Sequence, residues 1–142
     1  MTEPDPNADA PEPQAEVEGQ PSTYAEGMRV RREVLGDAHV DRAEAKKDEF
    51  TDDFQDFITR YAWGDIWARP GLDRRSRSVA TLAALVSLRA ENEIGMHVRA
   101  ALGNGLTVDE IKEVILHTAV YAGVPAANSA FAIAQRVIAE ET

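Results

Sequence analysis

The chain reads as an all-α protein, a helical bundle that assembles into oligomers. Three observations lead there. No segment alternates apolar and polar residues with period two, so no strand is legible. From Tyr24 onward the apolar residues recur at helical spacing. Helix start and stop signals fall between those periodic stretches at Gly36, Asp73, Thr107, Gly123 and Pro125.

Residues 1–23 stand apart from this pattern. They hold five of the seven prolines and almost no large apolar residue, which predicts a disordered acidic tail ahead of a folded domain at 24–142. Residues 1–27 carry seven acids and no Lys or Arg, so most of the formal charge of −10 belongs to that end and −3 is left for the rest. The tail serves either as an interaction segment or as a solubilising leader.

The helices follow in order. Residues 25–35 and 38–47 are expected as two short helices separated near Gly36. A third is expected over 50–62, where Phe50, Phe54, Phe57, Ile58 and Tyr61 form an apolar face. Gly64 is expected to end it, and Trp63 to Leu72 to form a loop with a turn at Pro70-Gly71. Asp73 is placed to cap a helix over 74–89. Val79, Ala80, Leu82, Ala83, Ala84, Leu85, Val86 and Leu88 make that helix apolar nearly all round, which predicts burial on most sides and contacts between subunits. Glu93 and His97 lie on a helix expected at 91–103, stopped by Gly103-Asn104-Gly105. Thr107 and Glu110 have the spacing of a capping box for a helix at 108–122. Gly123 stops that helix, and Pro125 begins the last one, 125–140, where its missing N–H costs nothing.

Composition excludes several chemistries. The chain has no cysteine, hence no disulfide, thiol nucleophile or thiolate metal site. No basic face is written in the sequence, and the net charge is acidic, so nucleic acid is not an expected partner. No apolar run is long enough for a signal peptide or a membrane span, and the expected setting is the cytoplasm. His39, His97 and His117 fall on three different helices with no shared spacing, so no metal site is expected.

Three groups of residues can carry chemistry. Glu93 and His97, four apart, share one helix face. His97 borders the apolar stripe of Ile94, Val98, Ala101 and Leu102, so it is either a core imidazole held by Glu93 or a general acid whose tautomer Glu93 fixes. His117 reads as structural or interfacial. Arg69, Arg74, Arg75 and Arg77 cluster at a helix start, where unpaired N–H groups already favour anions. They form either a carboxylate clamp or salt bridges to a neighbouring helix or subunit. Trp63 and Trp67 wall a small pocket or plug the helix ends, and Tyr121 closes its helix beside Gly123, where its hydroxyl could reach an opening.

Longer strings carry a family resemblance from about Gly27 to Glu140. They are Gly27 to Arg32, Tyr61 to Ser78, Glu93 to Gly105 and Tyr121 to Asn128. Together they resemble the carboxymuconolactone decarboxylase family of the alkylhydroperoxidase-D-like superfamily, and within it the γ-carboxymuconolactone branch. The superfamily's redox motif, Cys-x-x-Cys-x-x-x-His, would place its His on His97 and its thiols on Ala90 and Glu93. Its supporting carboxylate would fall on Ser78. Without the thiols, peroxidase chemistry is not available here.

The resemblance implies cofactor-free decarboxylation of γ-carboxymuconolactone, a dicarboxylate lactone, to the β-ketoadipate enol-lactone and CO2 in aromatic catabolism through protocatechuate. It also implies a homo-oligomer, trimer or hexamer. The substrate's own unsaturated lactone serves as electron sink. On that reading His97 with Glu93 is catalytic, and Arg69, Arg74, Arg77, Trp67 and Tyr121 bind substrate, with Tyr121 or a backbone N–H on the developing oxyanion. The alternatives are a non-catalytic oligomeric helical protein of the same fold, or a decarboxylase or lactone-acting enzyme with another substrate.

Overall fold

A computed structural model describes residues 23–142, all of whose regular structure is helical. The expected acidic tail therefore lies outside the described residues, apart from Thr23, which opens the first helix. The α-helices are α1 (Thr23–Leu35), α2 (Asp37–Ala45), α3 (Asp52–Ile58), α4 (Arg74–Ser87), α5 (Glu91–Gly103), α6 (Val108–Ala122) and α7 (Val124–Glu141). Between α3 and α4 runs a π-helical segment, Thr59–Trp67.

Helices α4 to α7 pack on one another around a core of Leu82, Val86, Ile94, Val98, Ala101, Ile111, Ile115, Ala130, Ala134 and Val137. The alanines of α7 let it approach closely, and Gly95 does the same from α5: a Cβ there would stand 3.3 Å from Val137. A second apolar cluster of Val30, Val34, Trp63 and Ala100 joins α1 and the π segment to α5.

The punctuation of this bundle is local chemistry. The Asp73 carboxylate accepts from the Ser76 N–H at 2.7 Å, capping α4. Thr107 and Glu110 bond each other's backbone N–H groups, both at 3.1 Å, in a full capping box. Gly123 takes φ 98, a left-handed value open to glycine, and so ends α6 and turns the chain directly into α7. Pro125 sits in the first turn of α7.

Three expectations are corrected. The region from Trp63 is not a loop: the helix continues through Gly64 to Trp67 with its hydrogen bonds widened, as in the 3.1 Å bond from the Ala68 N–H to the Trp63 carbonyl. Gly64 is a packing residue, not a terminator. A Cβ on it would lie 2.7 Å from the Thr23 carbonyl oxygen, and one on Gly27 would lie 2.0 Å from that of Thr59. The two glycines let α1 and the π segment touch backbone to backbone.

The apolar face of the third helix also points away from the core. Phe50 is 93% exposed, and Phe54, Phe57 and Tyr61 are more than half exposed. Likewise α4 buries only Ser78, Leu82 and Val86, while Leu88 is 77% exposed. Periodicity identified the apolar faces; which of them the chain covers itself is decided by packing.

Candidate functional site

His97 projects from the middle of α5 toward the π segment. Its ring stacks on Trp63 (6.4 Å between centroids, 10° between planes) and on Trp67 (6.4 Å, 24°). The two indoles lie 5.2 Å apart. Trp63 and Trp67, four residues apart in the π segment, lie side by side on one face and meet α5 there. π-helical turns are rare and gather at functional sites.

This enclosure sets the chemistry of the imidazole. Nδ1 is sealed with no hydrogen-bond partner among the described residues. Burial, with a small addition from His39, pushes the ring's pKa down from 6.5 to about 4. The imidazole is therefore neutral at pH 7.

The expected orienting partner is not in place. Glu93 is exposed and no hydrogen bond joins it to His97 within the chain. A helical spacing of four allows a contact, but the carboxylate points to water while the imidazole is drawn under the indoles.

The arginine cluster separates into different roles. Arg74 pairs with Glu33 of α1, and Arg75 with Glu110 of α6. Arg77 donates to the carbonyls of Leu72 (3.0 Å) and Arg69 (3.1 Å), which folds the 68–73 connection onto α4. Arg77 and Trp67 also share a cavity of about 270 Å³ with Ile66, Leu72, Ala80, Thr81 and Ala84. Arg69 is exposed and is not among the residues that line it. Tyr121, by contrast, is 79% exposed and lies against His117, with ring centroids 5.4 Å apart. Ser78 is fully buried and accepts from Asn104 Nδ2 at 2.9 Å, which ties α4 to the end of α5.

Two residues escaped the sequence reading. His39 on α2 bears electrostatically on His97. Its own pKa is lowered by burial and then by Arg31, Arg42, Arg99 and Lys46. Arg31 is only 3% exposed; it donates to Gln55 Oε1 at 3.1 Å and Thr59 Oγ1 at 3.3 Å, while its Nε has no partner. A lone His and one Arg in a basic run carry no spacing signal that would have marked them. A cavity of about 460 Å³ lies apart from His97, between α6 and α7, and is lined largely by apolar residues such as Ile111, Ile115 and Phe131.

Residues 52–136 match the model of the carboxymuconolactone decarboxylase family. The chain is 51% identical to the 4-carboxymuconolactone decarboxylase of Acinetobacter baylyi over 114 residues, 80% of this chain and 85% of that protein. It is 44% identical to the nitrosuccinic acid decarboxylase npaB of Metarhizium robertsii, over 81% of this chain and 80% of that one. A 4-carboxymuconolactone decarboxylase of Pseudomonas putida is 60% identical over 42 residues, 30% of this chain and 88% of that sequence. The chain belongs to the carboxymuconolactone decarboxylase family.

Proposed function

We propose that this member of the family removes CO2 from γ-carboxymuconolactone, giving the β-ketoadipate enol-lactone of aromatic catabolism. The observation that carries this reading is the 51% identity to a 4-carboxymuconolactone decarboxylase across four fifths of the chain. The site supports it, because its parts answer the needs of the reaction.

The carboxylate that leaves is attached to the γ-carbon of an unsaturated lactone. As its C–C bond breaks, the electron pair spreads through the ring double bond to the lactone oxygen, so the substrate is its own electron sink. The protein's tasks are to bind a dianion, stabilise the dienolate and protonate the carbon α to the carbonyl.

His97 is the proton carrier in this reading. A dianion beside the neutral imidazole raises its proton affinity, so a proton is taken up with substrate. The imidazolium then delivers that proton to the α-carbon and returns to its neutral form. Trp63 and Trp67 form the apolar wall against which the departing carboxylate lies, a setting that favours loss of its charge. Arg77, which lines one cavity with Trp67, is the donor side for the lactone oxygen; one well-placed donor there is worth about 3–4 kcal/mol. Arg74 is held by Glu33. Glu93 and Tyr121 contribute only where a neighbouring copy folds them over a site.

The row of exposed aromatic residues on α3 supports assembly, since a contiguous apolar patch of this kind marks an interaction surface. A second copy of the chain covers it in this reading, as a trimer or hexamer.

Nitrosuccinic acid is the second candidate substrate, favoured by the 44% identity to npaB. Both acids lose CO2 from a carbon bound to, or conjugated with, an electron-withdrawing group. Proton NMR of each acid incubated with the purified protein separates them. Conversion of the lactone to its enol-lactone at turnover numbers above about 1 per second supports the first reading. An unchanged lactone spectrum at stoichiometric protein refutes it, and turnover of nitrosuccinic acid alone selects the second.

A further inference from the structure

A second cavity, of about 280 Å³, opens between α2 and α3 and is lined by His39, Arg42, Ala43, Lys46 and Gln55. Among the described residues no carboxylate lines it. Most cations of the chain are engaged: Arg29, Arg32, Lys47, Arg60, Arg74, Arg75, Arg99 and Lys112 each pair with an acid. Arg42 and Lys46 pair with none among the described residues. The nearby acids are turned elsewhere, Asp41 to Arg32 at 2.9 Å and Glu44 to Lys47 at 3.0 Å.

Behind the wall lies buried Arg31, which reaches the cavity through its bond to Gln55. Its nearest carboxylate, Glu44, is 3.7 Å away, and its Nε is sealed without an acceptor. Two open cations, a histidine and a buried guanidinium short of acceptors thus converge on one small space. Arg31 ties that space to the start of the π segment through its bond to Thr59, one turn before Trp63, and His39 bears electrostatically on His97.

The chemistry decides which part of a substrate belongs there. A cation on the departing carboxylate would stabilise the ground state and lose its partner in the transition state, which slows the reaction. A cation on the carboxylate that stays behind binds both states alike. We propose that the cavity of His39, Arg42 and Lys46 is the subsite for the substrate's retained carboxylate, the acetate arm of the lactone. The proposal rests on the decarboxylase reading above. It places the anion contact on α2, rather than on the arginines that begin α4.

The test pairs protein variants with ligand variants. The first ligand is the saturated lactone that keeps both carboxylates and has no electron sink for CO2 loss. The second is its counterpart with an ethyl group in place of the acetate arm. Binding is read by calorimetry on wild type, Arg42→Gln, Lys46→Gln, Arg42→Lys and, as a control on α7, Arg136→Gln. Loss of one charge-assisted contact is expected to weaken the dicarboxylate about tenfold in Arg42→Gln and in Lys46→Gln. The monocarboxylate's affinity is expected to stay constant, and Arg42→Lys to recover most of the loss. In turnover the same two variants raise KM and leave kcat within a factor of about three.

Equal losses for both ligands, or none for either, overturn the subsite while leaving the decarboxylase reading intact. A wild-type protein that binds neither ligand and leaves the true lactone unchanged overturns both. Unchanged melting curves for Arg42→Gln and Lys46→Gln guard against a folding defect, since both side chains are exposed.

Discussion

Acid should weaken this protein through His97, and the size of the effect follows from the burial of one ring. In the folded chain the imidazole's pKa is about 4, against 6.5 as the ordinary value. The sign follows from which state binds the proton first. Above pH 6.5 both states are neutral and the full stability is present. As pH falls below 6.5 the unfolded chain takes up a proton that the folded chain refuses, so stability declines until the folded ring also titrates near pH 4. The whole window holds about 3 kcal/mol, since one pKa unit is worth about 1.4. At pH 5 about 2 kcal/mol of it has been lost.

The assay is urea unfolding at fixed protein concentration, at pH 7.5 and at pH 5, on wild type and on His97→Gln. Other groups titrate in both proteins, so the readout is the difference of differences. Wild type should lose about 2 kcal/mol more than His97→Gln between the two conditions. Parallel losses in the two proteins would refute the reasoning, since the imidazole would then be as well solvated in the folded chain as in the unfolded one.

Three further outcomes are expected. His97→Ala should lower kcat by about 10²–10⁴ with assembly unchanged, whereas Glu93→Gln should stay within a factor of about three; a loss above tenfold in Glu93→Gln, in steady-state kinetics, would show that the carboxylate reaches the site in the assembly. Gly27→Ala should destabilise by at least about 1–3 kcal/mol or abolish folding, because its Cβ would collide with the Thr59 carbonyl and part α1 from the π segment; a melting temperature equal to wild type counts against that close approach. Deleting residues 1–22 should leave turnover and sedimentation unchanged within a factor of about two, and a truncated chain that no longer assembles would assign the acidic segment a structural task.

The legible part of this protein is its local chemistry. Asp73, the Thr107–Glu110 box and Gly123 each act within a few residues of themselves, so the ends of α4, α6 and α7 could be read within a residue or two. His97 stood out as a candidate as well, from its spacing and from the string around it. The misreadings share one cause. Gly64 was read by its propensity to break a helix, yet the approach of α1 makes it a contact point inside one. Glu93 was read by its spacing from His97, yet exposure separates them. Of the arginines, read as either an anion clamp or salt bridges to a neighbouring helix, Arg74 and Arg75 take the second course, with partners 41 and 35 residues away in sequence, Glu33 and Glu110.

By itself, then, the sequence determined an all-helical chain of this family with its helix ends, its lack of thiol chemistry and its candidate imidazole. Only the tertiary structure decided the imidazole's charge, the indoles that enclose it, the place of His39 and Arg31, and which cations remain open to a ligand. Helix ends obey hydrogen bonds between near neighbours, which a string of residues displays. Proton affinity and ion pairing depend on desolvation and on charges brought from distant segments, and those exist only once the chain has packed.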